Sequence, residues 1–259
     1  LKHQSTVNVP DSRESVLHNE ATRYSALLVG ATGLIGSALL RQLIRDPLVS
    51  KVTVITRRPM EDKDLGSASE KSKLIVMVTS FDDLDKSLEQ VDADVVFCTL
   101  GTTIKVAKTR EAFRKVDYEY PLALARFAER TNASVFSVVT AMGASSNSKI
   151  FYSRVKGELQ DAIARLSIPT VQVFQPSLLL GDRNQVRPGE SFGALISKGL
   201  QFAMVGPMRK YRPIKGEDVA LAMSRAANQA IQMNTASKST MMHYYPSDKI
   251  ADLALHTMG

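Results

Sequence analysis

Three groups of residues in this chain have the types and spacing to do chemistry together. Gly30-Ala31-Thr32-Gly33-Leu34-Ile35-Gly36 follows the apolar run Ala26-Leu27-Leu28-Val29 and opens a helical pattern. Glycines there permit a tight strand-to-helix turn and let backbone approach a pyrophosphate closely, while the new helix points free N–H groups and its positive dipole end at that anion. The spacing is GxxGxxG and not the standard GxGxxG, but its context, after a strand and at a helix start, is the one a nucleotide site requires. A bare structural turn is the other reading. Arg57-Arg58 closes the second strand, Val52-Thr53-Val54-Ile55. An acid at that place would hold a ribose 2′-hydroxyl; arginine instead suits a 2′-phosphate, so the preferred cofactor is NADP(H) over NAD(H). A solvated arginine pair is the plainer alternative. Tyr152 and Lys156 stand four apart, on one face of a helix at the edge of the stripe Phe151, Val155, Leu159, Ala162 and Ile163. A nearby ammonium and an oxidised nicotinamide favour a phenolate over the phenol that a free tyrosine carries up to about pH 10. Tyr152 could then pass a proton to or from a carbonyl or alcohol oxygen while hydride moves on the cofactor.

The elements that must position these residues alternate. Apolar strands are expected at 26–29, 52–55, 74–78, 94–98, 135–139 and 170–174, with helices after the glycine turn, at Phe81 to Gln90, at Arg110 to Thr131 and at Lys149 to Leu166. The Arg110–Thr131 helix would bury Phe113, Val116, Tyr120, Leu124 and Phe127 on one side. Continuous apolar strands separated by helices imply a parallel sheet covered on both faces, a doubly wound α/β fold of Rossmann-like type. Residues 60–72 read as a loop or poorly formed helix. Beyond Pro176 the pattern loosens into helices near 191–203 and 217–231, with an extended piece around Tyr211 to Ile214. This predicts a flexible arm over 1–22, one domain over 23–235 with a small cap lobe at about 182–215, and a tail over 236–259.

Composition narrows the function. The 259 residues are 44% hydrophobic and 23% charged, ordinary for a globular protein. The net charge of +7 favours an anionic ligand. The positive residues are scattered, however, and the densest clusters, Arg57-Arg58 and Arg209-Lys210-Tyr211-Arg212, do not form the stripe of a nucleic-acid groove. No run reaches the length of a membrane span. Residues 1–22 lack the apolar stretch of a secretory signal; the cytoplasm is the default compartment, with a mitochondrial address left open. His3, His18, His243 and His256 show no ligand spacing, which argues against a metal. Cys98, the single cysteine, lies in an apolar strand and reads as a core residue.

Together these motifs resemble the short-chain dehydrogenase/reductase superfamily in its atypical branch. Phe97-Cys98-Thr99-Leu100-Gly101-Thr102-Thr103, Val116-Asp117, Tyr152 to Glu158, Gln175 to Arg183 and Arg187-Pro188-Gly189-Glu190 are similar to the Tat-interacting-protein-2-like family over about Ala26 to Ala230. The resemblance implies that Tyr152 is the acid/base and that Lys156 assists it and holds the nicotinamide ribose. Thr140 would stand for the usual substrate-binding serine. Asp117 falls where many relatives carry an asparagine of the proton relay. Thr32, Gly33, Leu34, Ile35, Leu100, Gly101 and Thr102 would line the pyrophosphate and adenosine ribose, and Pro176, Ser177 and Leu178 the nicotinamide carboxamide. Ser80-Phe81 departs from the acidic residue that relatives often place near adenine. A small-molecule carbonyl or alcohol is the implied substrate and a homodimer through the Arg110–Thr131 helix a possible assembly. The same resemblance leaves open a second reading, an NADPH-binding regulatory or redox-sensing protein with little turnover.

Overall fold

The computed structural model describes residues 22–61, 66–181, 206–233 and 240–255. The apolar runs become strands because β-branched and aliphatic residues fit a sheet buried on both faces. These strands are β1 (Tyr24–Val29), β2 (Val49–Thr56), β3 (Leu74–Val78), β4 (Val95–Cys98), β5 (Val135–Val139) and β6 (Thr170–Gln175). Joined by β9 (Met241–Pro246), they pair in parallel in the order β3-β2-β1-β4-β5-β6-β9. The strand order reverses between β1 and β4, and in such sheets ligands bind in the crevice at the carboxyl ends there.

Two helical layers cover the sheet. On one face α1 (Leu34–Arg45) packs with α8 (Gly216–Gln232), burying Leu39, Leu43, Val219 and Met223 against Leu28 and Val54. On the other face α3 (Leu84–Leu88), α6 (Tyr120–Arg130) and α7 (Phe151–Ile163) bury Leu84, Leu124, Phe127 and Leu159 against Val96 and Phe136. Cys98 is fully buried, and burial pushes its thiol up to about 12.

Three expectations need correction. The tail is part of the sheet: β9 pairs with the whole of β6, Tyr245 stacks on Phe174 at 4.7 Å, and α9 (Ser247–Leu255) returns over α8. The single helix Arg110–Thr131, which follows the short α4 (Ile104–Ala107), is three pieces, α5 (Arg110–Arg114), a π-helical turn (Lys115–Glu119) and α6. Pro121 explains the break, since it has no N–H for the Asp117 carbonyl and the turn before it widens. The phase slips with it, so that Asp117 is buried and Val116 only half-buried. The loop or poorly formed helix expected at 60–72 includes one short helix, α2 (Ala68–Lys71), behind a capping box of Ser67 and Glu70. The extended piece at Tyr211 is instead a 3-10 turn (Gly206–Tyr211), followed by the short strand β8 (Ile214–Lys215) paired with β7 (Leu179–Leu180). The arm over 1–21, the helix near 191–203 and most of the cap lobe lie outside the described residues.

Candidate active site

The glycine turn sits at the mouth of the β1/β4 crevice. Gly30 has φ +99°, where side chains are strained, and a Cβ on it would lie 2.6 Å from Thr99 Oγ1. A Cβ on Gly36 would fall on the Gly30 carbonyl oxygen, so this glycine lets α1 press against the end of β1. Gly33 is the exposed N-cap of α1 and has no side-chain cap; its amide donates to the Gly30 carbonyl at 3.0 Å. The first helical bond runs from Ser37 N to Gly33 O, which leaves the amides of Leu34, Ile35 and Gly36 ahead of it. No acid occupies the first turn of the helix. An uncapped, glycine-lined helix start facing a crevice fits a pyrophosphate. Thr32 is exposed beside it, Ile35 is buried beneath, and the Leu34 side chain seats in spaces kept open by Gly181 and Gly216.

Arg57 and Arg58 lie exposed at the carboxyl end of β2. The Arg57 guanidinium stands 5.4 Å over the Phe81 ring, which in turn meets Tyr120 edge-on at 5.4 Å. The residue that departs from the family pattern is thus a platform beneath the first arginine.

Across the crevice, α7 carries Tyr152, Lys156 and Gln160 at i, i+4 and i+8. Tyr152 is half-buried with its ring 5.6 Å from that of Phe113, which also meets Phe151 at 5.6 Å. Lys156 is 3% exposed, and its Nζ lies 2.7 Å from Oδ1 of the fully buried Asp117. The other Asp117 oxygen accepts the Thr102 amide at 2.9 Å. Burial pulls the Lys156 ammonium down, but Asp117 and Tyr152 outweigh it, and the group is held above the ordinary lysine value. Gly101 closes this cluster: a Cβ there would be 3.7 Å from both Lys156 Nζ and Asp117 Oδ1. The Leu100-Gly101-Thr102 turn, the π-helical turn and α7 therefore meet at one buried ion pair. Gly157 lets the loop after β5 lie against α7, because a Cβ on it would fall on the Ser145–Ser146 backbone.

Two predicted residues, Thr140 and Ser177, hold hydrogen bonds within the fold. Thr140 is 4% exposed; its hydroxyl donates to the Phe174 carbonyl at 3.4 Å and accepts from Gln160 Nε2 at 2.8 Å. In the structure that hydroxyl is engaged by neighbours inside the fold. Ser177 donates its hydroxyl to the Arg212 carbonyl and its amide to Ser247 Oγ at 2.8 Å, while Ser247 Oγ donates back to Ser177 Oγ at 3.0 Å. It thereby ties the end of β6 to β8 and to the start of α9. Pro176 is buried and accepts the Met142 amide at 3.0 Å, and Leu178 keeps an exposed side chain at the rim. The sequence reading missed Phe113 as the ring support of Tyr152, and Gln160, although Gln160 lies one helical step beyond Lys156 on the same face. It also missed Ser247, which no local pattern signals because its partner is 70 residues away. Among the described residues no group of His, Cys, Asp and Glu could hold a metal ion, and no helix is long and apolar enough to cross a membrane.

Comparison with known proteins gives the family and the fold. A family model described as NAD(P)H-binding matches residues 30–166, more than half of the chain. Protein HTATIP2 of Rattus norvegicus is 34% identical over 169 residues, covering 64% of this chain and 67% of that protein. Protein FMP52, mitochondrial, of Candida albicans is 32% identical over 163 residues, covering 62% and 69%. Among solved structures, the Bordetella bronchiseptica enzyme WbmF in complex with NAD+ superposes with a TM-score of 0.59 at 18% identity, over 90% of this chain and 77% of that one. With its reversed strand order, glycine turn and Tyr152/Lys156 helix, the chain belongs to the NAD(P)H-binding family and is an atypical short-chain dehydrogenase/reductase resembling HTATIP2.

Proposed function

We propose that this protein is an NADP(H)-dependent oxidoreductase that reduces a small carbonyl compound, or oxidises the corresponding alcohol, with Tyr152 as the acid/base. The observation that carries this reading is the buried Lys156–Asp117 pair beside Tyr152, on the crevice that the glycine turn opens. When bound, NADPH supplies the hydride. The chain's own residues do the rest. The amides at the start of α1 and the Gly30–Gly36 cradle hold the pyrophosphate. Arg57 and Arg58 pair with the 2′-phosphate, Arg57 from its place over Phe81. Lys156 would hold the nicotinamide ribose, and Tyr152 would give its phenolic proton to the carbonyl oxygen of the substrate. The cytoplasm and the mitochondrion both suit this chemistry, the second in keeping with the name of the Candida relative.

The test pairs binding with turnover. A ligand that binds only the folded state at about 100 times its Kd adds about 2.7 kcal/mol of stability, so NADPH should raise the melting temperature clearly. Tyr152→Phe should retain that rise while carbonyl reduction falls by about 100-fold or more. Loss of the NADPH response in the wild type, or full turnover in Tyr152→Phe, overturns the reading. One observation favours the regulatory alternative, the commitment of the Thr140 hydroxyl to Phe174 and Gln160. A sensor would bind NADPH with no turnover in any carbonyl screen, and its partner binding would survive Tyr152→Phe.

A further inference from the structure

We propose that the open edge of β3 pairs with the β3 of a second copy of this chain, antiparallel about a two-fold axis through Val76, so that the two sheets join into one. β3 ends the sheet: among the described residues it pairs with β2 on one side and with no strand on the other. An open strand edge is a template for another strand, and proteins guard such edges with charges, proline or bulges. The opposite edge is partly guarded, since β9 exposes His243 and closes on Pro246. β3 is Leu74-Ile75-Val76-Met77-Val78, wholly apolar, with an unbroken register to β2. Ile75 is 48% exposed and Val78 52%, one on each face of the strand, so apolar surface flanks the open edge on both sides. The helix that the sequence offered for a homodimer is spent differently, because α6 buries Leu122, Leu124, Ala125 and Phe127 against the sheet.

The backbone decides which groups are on offer. Toward β2, the Lys73 carbonyl accepts from the Val52 amide and the Thr79 amide donates to the Thr56 carbonyl. A strand turns alternate residues to each side, so Ile75 and Met77 also bond to β2. The amides and carbonyls of Leu74, Val76 and Val78 therefore face outward. A copy turned about Val76 sets Val76 against Val76 and Leu74 against Val78, and each such pair exchanges both backbone bonds. A shift by one residue would oppose groups that face away, and a shift by two would shorten the overlap. The ends are complementary too. Lys71 and Lys73 stand at the amino end, where Glu70 is taken up by Arg45 and the Lys73 ammonium donates to the Asp46 carbonyl. Asp82 and Asp83 stand at the carboxyl end, Asp82 holding Lys115. Antiparallel pairing lays the basic end of each copy along the acidic end of the other. In length, apolarity and charge the strand is its own complement, which makes a second copy the occupant that fits.

The test follows the oligomeric state of the full chain by sedimentation and light scattering from about 1 to 100 μM, a span that reveals a dimer of micromolar Kd. The wild type should pass from monomer to dimer over it. Val76→Pro removes an amide that bonds nothing within the protomer. Its melting temperature at the dilute end should match the wild type, while the dimer Kd rises at least about tenfold for the two central bonds lost. Val76→Cys sets two thiols across the axis at a Cα separation of about 5.5 Å, within disulfide reach, and Cys98 is buried and does not compete. Mild oxidation should trap Val76→Cys as a covalent dimer and leave Val78→Cys, displaced from the axis, untrapped. A wild type that stays monomeric overturns the proposal, as does a dimer that a folded Val76→Pro leaves intact. Should Val76→Pro fail to fold, the cysteine variants decide, and equal trapping at both positions, or trapping at neither, overturns it. A monomer that instead binds a synthetic peptide of residues 73–79 at this edge shows a foreign strand as the occupant and overturns it as well.

Discussion

At the scale of the residue, the charges around the crevice divide into exposed and buried ones. Arg57 and Arg58 are exposed at the end of β2, one of them laid over Phe81. Charge-assisted bonds to a phosphate are worth about 1.5–3 kcal/mol each. Replacing both arginines by alanine should therefore weaken NADPH binding by at least about 100-fold and leave NADH binding nearly unchanged, as read by paired titrations of the two cofactors. Equal losses for both would show that the pair does not read the 2′-phosphate. Lys156 and Asp117 behave differently, because a buried ion whose partner is removed is left without compensation.

At the scale of the element, β9 has the largest consequence. It gives β6 a partner on its outer side along Thr170–Gln175 and supplies Tyr245 to stack on Phe174. It is also the lead into α9, whose Ser247 anchors Ser177. Ending the chain after Met233 would leave β6 as an exposed, apolar edge, a template for aggregation. The truncated protein should lose its cooperative melting transition and elute as aggregate in size-exclusion chromatography; a monomer with a sharp transition would show that β9 is dispensable. The π-helical turn matters for the opposite reason. It adds little to the core, but without its change of phase no acid would meet Lys156.

For the whole molecule, the buried titratable groups point toward alkaline sensitivity. Tyr24 is raised by burial and by Asp46, and its hydroxyl donates to Asn228 at 2.7 Å. Cys98 is pushed up to about 12 by burial. Lys156 is raised because Asp117 and Tyr152 outweigh its burial. In each case the folded state keeps a proton that the unfolded chain releases. The stability these groups contribute is complete below their unfolded pKa values and declines as pH rises through the folded ones. The decline should start near pH 8.5 with Cys98 and steepen near pH 10 as Tyr24 and Lys156 join. Melting temperatures measured from pH 7 to 11 should fall, and Cys98→Ala should flatten the first part of the curve. A flat profile over that range would contradict the burial of these groups.

Much of this was legible in the chain, because parallel strands buried on both faces are written as continuous apolar runs. The glycine turn, the arginine pair and the Tyr152/Lys156 spacing are also local patterns, readable because each depends on residues within one turn or one helix. What tertiary structure alone decided depends on partners far apart in sequence. Thr140 looked free until Gln160 and Phe174 claimed its hydroxyl, and Ser177 until Ser247 and Arg212 did. The stretch at 241–246 holds Met, His, Tyr and Pro with little alternation, and only pairing with β6 makes it a strand. Asp117 carries no helical signal of its own. Its place beside Lys156 follows from a proline four residues later and from the packing of α7, a meeting that no single segment encodes.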